Sequence, residues 1–295
     1  MPRSVYLKPT PPKPKKPKKP NRDQLVWEFI TSTLDKGIEG LRKEFNRNPR
    51  IYDTAKCTVS CRNPKLNRYK DISCHDHSRV HVVGANPDEY IHANYVGVDH
   101  RPKRFICTQG PMETTCADFW MMVIQQNVKM IAMLCEFVEQ NRPSDRGPIV
   151  VTNIFEEDVR FTEPGHAAQV RLRIMTVQGL NTETDVKHYH WANWPDRGAP
   201  PPNQDPINLL NDLRCSNSSP IVLHCSAGIG RAGAFALMRA VMEKVDHCKA
   251  FNVEDLLKEM RQCRAGLVQT PHQYYYVHAA LLKYLAENSR QRERL

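Results

Sequence analysis

The chain has 295 residues, 40% of them hydrophobic, enough to bury a sizeable core, and no run of 18 apolar residues that would cross a membrane. Its formal net charge of +10 looks like a nucleic-acid signal only until it is divided: residues 1–22 hold eight Lys and Arg and no acidic residue, leaving 34 basic against 32 acidic residues beyond. With a near-neutral remainder and no zinc-finger or aromatic–basic RNA motif, the sequence gives no support for specific nucleic-acid binding.

Residues 1–22 are expected to form a disordered basic tail. From Lys8 to Pro20, fixed proline angles combine with mutually repelling lysines, a composition that cannot collapse into a core. Such a run either solubilises the chain or contacts an acidic surface, an anionic membrane, a polyproline-binding domain or the nuclear-import machinery. It lacks the apolar stretch of a secretory signal, so a cytoplasmic location is expected, with the nucleus as a second destination. In either compartment most of the ten cysteines are expected to stay reduced, as small buried hydrophobes.

From residue 23 to 290 the pattern is that of one folded domain, with 291–295 a flexible end. Leu25, Phe29 and Leu34 among polar residues predict an opening amphipathic helix. Asp118-Phe119-Trp120 opens a second helix, and Lys129 to Cys135 reads as a short buried strand. Val170, Leu172, Ile174 and Thr176 alternate with Arg171 and Arg173, the pattern of a half-exposed strand. Pro220 to Leu223 predicts a buried strand and Ala232 to Val245 a helix. Val253, Leu256, Leu257 and Met260 form the stripe of another helix, and Tyr274 to Leu285 predicts the last. Strands and helices interspersed without a repeat point to a mixed α/β domain.

A Cys-x5-Arg match arises about once by chance in a chain with ten cysteines, and only Cys225, with Arg231, makes one. Its setting is more specific than the pattern: a buried strand, the small-residue loop His224-Cys225-Ser226-Ala227-Gly228-Ile229-Gly230-Arg231, then a helix. That order turns backbone N–H groups and a helix N-terminus toward one concavity able to hold a tetrahedral dianion. Gly228 and Gly230 let the chain curve around it. The same positive field favours thiolate, the nucleophilic form of cysteine, and Arg231 can fork onto two phosphate oxygens. Cys57, Cys61, Cys74, His75 and His77 lack the paired spacing of a zinc finger, so no metal is expected.

His224 to Gly233 resembles the signature loop of the classical, tyrosine-specific non-receptor protein tyrosine phosphatases. Six further segments resemble the same family, in family order: Asn67-Arg68-Tyr69-Lys70-Asp71, Asp76-His77-Ser78-Arg79-Val80, Tyr90-Ile91-His92-Ala93-Asn94-Tyr95, Thr108-Gln109-Gly110-Pro111, Asn193-Trp194-Pro195-Asp196 and Val268-Gln269-Thr270. The resemblance implies the cysteine phosphatase fold, a single α/β (α+β) domain with a central twisted mixed β-sheet flanked by helices. It implies hydrolysis of phosphotyrosine through a phosphocysteine intermediate, with no cofactor. Cys225 then matches the nucleophile, Arg231 the phosphate ligand, Asp196 the mobile general acid and later base, and Gln269 the water-positioning residue, with Gln273 its companion. Ser226, Ala227, Gly228, Ile229 and Gly230 match the phosphate cradle, with His224 in support. Tyr69 matches the wall that makes the cleft deep enough for a phenolic ester and too deep for phosphoserine, and Asp71 would fix the substrate backbone. The expected partner is a phosphotyrosine-containing protein, and the expected state a monomer.

Three positions depart from the family. Ala232 stands where a Ser or Thr hydroxyl normally donates to the cysteine sulfur, so turnover is expected to be slow, chiefly in hydrolysis of the intermediate. Glu139 fits a glutamate that pairs with Arg231, but residues 140–150 lack the expected Tyr-Trp. Arg197 follows Asp196 where an aromatic residue or histidine is usual. Two readings therefore stand: a slow phosphotyrosine hydrolase, or a phosphotyrosine-binding scaffold that has kept the pocket.

Overall fold

A computed structural model describes residues 20–48, 53–99, 101–136, 149–159, 170–201, 206–215 and 219–292. Its eight strands are β1 (Arg79–His81), β2 (Tyr90–Val96), β3 (Phe105–Gln109), β4 (Met130–Met133), β5 (Val150–Val159), β6 (Val170–Gly179), β7 (Thr182–Trp191) and β8 (Ile221–Cys225). Its helices are α1 (Arg22–Asn46), α2 (Thr58–Arg62), α3 (Cys116–Gln125), α4 (Ile207–Asp212), α5 (Gly230–Asp246), α6 (Val253–Cys263) and α7 (Pro271–Arg292). The α1 start lies within the expected tail, and α7 runs two residues past the expected domain end at 290. Tail residues 1–19 lie outside the described residues.

The strands form one mixed sheet in the order β1-β2-β3-β8-β4-β7-β6-β5. The four central strands β3, β8, β4 and β7 are parallel, and antiparallel strands continue the sheet on either side. Parallel strands need cover on both faces, and β8 shows why its sequence is continuously apolar. Ile221, Leu223 and Cys225 enter the cluster beneath α5, whereas Val222 enters the opposite cluster with Phe119, Met122 and Val123 of α3. Helix α5 is buried around nearly its whole circumference, lying on the sheet and under α7. The sheet and α5 thus hold the β8–α5 connection at the carboxyl end of a central strand, where open α/β sheets bind ligands.

Two patterning expectations need correction. Leu25 and Phe29 are buried in α1, but Leu34 is 65% exposed, and Thr33 takes the inner position. At 3.6 residues per turn, nine positions carry Leu34 about 180° around from Leu25. In β6 the buried residues are Val170, Met175 and Val177 rather than one alternating set. Val177 packs in the α3 cluster, so the far half of this strand is covered on the face the alternation assigns to solvent. Among the described residues no helix is long and apolar enough to cross a membrane.

Candidate active site

Strand β8 ends on Cys225, and the chain turns through Ser226 to Ile229 into α5. Gly228 makes the turn possible: its φ is +70°, and a Cβ there would lie 2.1 Å from the Thr108 carbonyl oxygen on β3. The Gly228 N–H donates to Cys225 Sγ at 3.3 Å, and the cysteine is only 3% exposed. Ile229, the N-cap of α5, supplies no side-chain cap, which leaves the first N–H groups of this helix for an anion. His224 is buried beneath the loop, and desolvation pulls its imidazole down to about 3, so the ring is neutral at any ordinary pH.

Arg231, one residue into α5, is 2% exposed on its side chain. Its Nη1 donates to the Trp194 carbonyl at 3.0 Å and its Nη2 to Asp196 Oδ1 at 3.2 Å. Trp194 anchors the loop that carries Asp196: its indole is buried against Trp191 and Tyr276 and donates to the Gly198 carbonyl at 3.3 Å. Asp196 itself remains 60% exposed on its side chain. Arg197 has φ +52°, so the chain reverses directly after the carboxylate. Thr270 Oγ1 then donates to the Arg197 carbonyl at 3.1 Å, tying this loop to the segment that carries Gln269.

That segment is held under strain. Val268 has φ +57°, an unfavourable conformation for a β-branched residue, and its N–H donates to the Ile229 carbonyl at 3.0 Å. Gln273 Oε1 accepts from the N–H groups of Gln269 and Thr270 at 2.8 and 3.3 Å, fixing the turn. A Cβ on Gly230 would meet the Gln269 and Gln273 carboxamides at about 3 Å, which places both against the phosphate loop. Gln273 Nε2 is buried without a partner among the described residues.

The opposite wall is Tyr69, whose hydroxyl lies 2.7 Å from Ser226 Oγ. Its segment is pinned by Gln109, which accepts the Arg68 N–H at 2.8 Å and donates to the Leu66 carbonyl at 3.0 Å. The Arg68 guanidinium reaches the carbonyls of Gly110 and Pro111. Asp71 stands exposed beside this wall. Structure therefore brings Cys225, Arg231, Asp196, Gln269, Gln273 and Tyr69 together around the β8–α5 loop. Glu139 and residues 140–148 lie outside the described residues.

One buttress escaped the sequence reading. Arg264, just after α6, is fully buried and donates to the Gly228 and Ala227 carbonyls at 2.8 and 3.1 Å, bracing the loop from behind. Nothing in the local pattern separates it from a surface arginine at a helix end.

The pattern for protein-tyrosine phosphatase matches residues 63–283. The chain belongs to this family. Tyrosine-protein phosphatase non-receptor type 2 of Homo sapiens is 34% identical over 239 residues, covering 75% of this chain and 56% of that protein. Tyrosine-protein phosphatase 99A of Drosophila melanogaster is 33% identical over 282 residues, covering 87% of this chain and 21% of that one. The putative receptor-type tyrosine-protein phosphatase mosPTP-1 of Aedes aegypti is 35% identical over 239 residues, covering 75% and 18%. This phosphatase chain thus spans from about a fifth to just over half of these relatives' length. The mixed sheet flanked by helices is the architecture its sequence led one to expect.

Proposed function

We propose that this domain hydrolyses phosphotyrosine in proteins. The observation that carries the reading is the Arg231 guanidinium, which joins the Cys225 loop to Asp196, while Tyr69 meets the same loop at Ser226. In the first step Cys225 Sγ attacks phosphorus while two phosphate oxygens replace Asp196 and Trp194 on the guanidinium fork. The bond from phosphorus to the phenolic oxygen breaks, and Asp196 gives that oxygen its proton. In the second step a water held by Gln269 attacks the phosphocysteine, Asp196 takes the water's proton, and sulfur leaves as thiolate. Tyr69, on its match to the family's recognition tyrosine, is assigned the wall that selects the long phenolic ester.

Ala232 favours a slow second step, because its methyl group, fully buried after Arg231, has no proton to donate to the departing sulfur. Similarity to the non-receptor type 2 proteins supports a non-receptor, cytoplasmic phosphatase acting in phosphotyrosine signalling. The test is hydrolysis of phosphotyrosyl and phosphoseryl peptides by the purified protein, with Cys225→Ser and Asp196→Ala alongside. Turnover of the phosphotyrosyl peptide alone, abolished by Cys225→Ser and sharply reduced by Asp196→Ala, is expected. Tight binding without turnover by the unaltered protein would make the domain a scaffold instead.

A further inference from the structure

Beneath the phosphate loop the Arg264 guanidinium is fully buried, and each of its five N–H donors has an acceptor. Nε meets Gly228 O at 2.8 Å, and Nη2 meets Ala227 O at 3.1 Å and His92 Nδ1 at 3.0 Å. Nη1 meets Asn94 Oδ1 at 2.7 Å and Cys74 Sγ at 3.3 Å. No carboxylate is among the five. An arginine keeps its proton inside a protein, and a buried cation without a counter-charge is costly. His92 offers none, because Nε2 donates to the Ile72 carbonyl at 3.0 Å, leaving Nδ1 as a neutral acceptor. Asn94 and the two backbone carbonyls are neutral as well. Cys74 Sγ is the one contact able to carry negative charge.

The contact also has a route to the nucleophile. The Ala227 carbonyl and the Gly228 N–H are two ends of one peptide group. Arg264 donates to the first, and the second donates to Cys225 Sγ. Cys74, Arg264, this peptide and Cys225 therefore form a single hydrogen-bonded chain, whose members polarise one another.

We infer that Cys74 is a positioning residue for the phosphatase reaction: as a buried thiolate it neutralises Arg264 and so holds the Ala227–Gly228 peptide against Cys225. The kinetic consequence rests on the proposed hydrolase; the charge assignment does not. The groups facing Cys74 are Arg264 beyond α6, His92 and Tyr90 on β2, and Cys57 before α2. Burial opposes its ionisation, whereas the positive charge of Arg264 and its hydrogen bond to Sγ favour the thiolate and draw the thiol below its ordinary range. Burial pushes Tyr90 upward and Cys57 up to about 12, so neither competes for the charge. A thiol lowered below its ordinary value of 9 contributes stability that is fully present above pH 9 and is lost as pH falls through the lowered folded value.

Thiolate ultraviolet absorbance tests the charge in the inactive Cys225→Ser protein, after exposed cysteines have been alkylated in the native state. A titration below the ordinary thiol value of 9 is expected, and it should vanish in Cys225→Ser/Cys74→Ser. If that double variant does not fold, Cys225→Ser/Cys74→Asp takes its place, keeping the charge without the chromophore. Superimposable titrations with and without Cys74 would overturn the assignment. In the active protein Cys74→Ser should lower kcat about tenfold, whereas Cys74→Asp should recover most of it. A residue that only fills space gives the reverse order, since serine is the closer fit, and that order would equally overturn the proposal.

Discussion

The Arg231 guanidinium donates to Asp196 Oδ1 at 3.2 Å while its other terminal nitrogen donates to the Trp194 carbonyl at 3.0 Å. The side chain proposed to bind phosphate therefore also holds the proposed acid loop over the nucleophile. Phosphate oxygens and Asp196 compete for one fork, so substrate binding and delivery of the carboxyl group to the leaving oxygen become a single event.

Removing that carboxyl group separates its two duties. Asp196→Ala should lower kcat for a phosphotyrosyl peptide by about 100- to 10,000-fold, the usual worth of a positioned acid, without raising KM. For an aryl phosphate whose phenol is strongly acidic the loss should be far smaller, because that leaving group departs without a proton. Steady-state kinetics on both substrates decides the matter. Equal losses would mean that Asp196 shapes the loop and protonates nothing.

Restoring a hydroxyl beyond Arg231 addresses the other chemical step. Ala232→Ser should accelerate turnover by roughly ten- to a hundredfold, the worth of about 1–3 kcal/mol from one hydrogen bond to sulfur. The unaltered protein should show a burst of phenol followed by a slow phase, and the burst should shrink in the variant. Equal steady rates for the two proteins would show that the missing hydroxyl does not limit this enzyme.

The Thr270 hydroxyl, which donates to the Arg197 carbonyl at 3.1 Å, is the described tie between the acid loop and the Gln269 segment. Thr270→Val removes that donor at nearly constant volume, together with the acceptor of the Gln273 N–H at 3.2 Å, whereas Thr270→Asn keeps an acceptor for that N–H. About 1 kcal/mol lost from the closed loop should reduce kcat around fivefold, leaving the folded state intact by circular dichroism. An unchanged kcat would mean that Trp194 and the Arg231 contacts hold the loop without it.

The chemistry was legible where residue type and spacing are themselves the signal. Cys225, Gly228 and Arg231 must follow one another for a strand to turn into an anion-binding helix, whereas Trp194-Pro195-Asp196 reads in isolation as a proline turn and takes its meaning from the family resemblance. Long-range supports were not legible. Arg264 approaches the loop from 36 residues away, and its burial follows from α6 packing beside β2 rather than from its neighbours in sequence. The face of α1 was half legible: Leu25 and Phe29 keep the helical period, but Leu34 falls out of it and Thr33 replaces it. Alternation in β6 failed for a different reason, since α3 covers the far half of a strand that looks one-sided in isolation.

Acid sensitivity follows from His278, on the face of α7 that packs against α1 and only 2% exposed. Its ring stacks on Phe29, meets Tyr274 edge-on and lies 3.3 Å from Thr33 Oγ1 through Nδ1. Burial, assisted by the positive charge of Lys36, pulls its imidazole down to about 3. The unfolded chain binds a proton there below about pH 6.5, whereas the folded chain stays neutral until about pH 3. Within that window the unfolded state holds more protons, so stability falls as pH falls. Between pH 6.5 and pH 5 this one residue should cost about 2 kcal/mol. His278→Phe keeps a ring against Phe29 but removes the titration, at the cost of the Thr33 contact. Urea unfolding should find the variant less stable than the parent at pH 7, with the gap narrowing or reversing by pH 5. Parallel pH dependences would place the proton on His278 in the folded protein and refute its neutral burial.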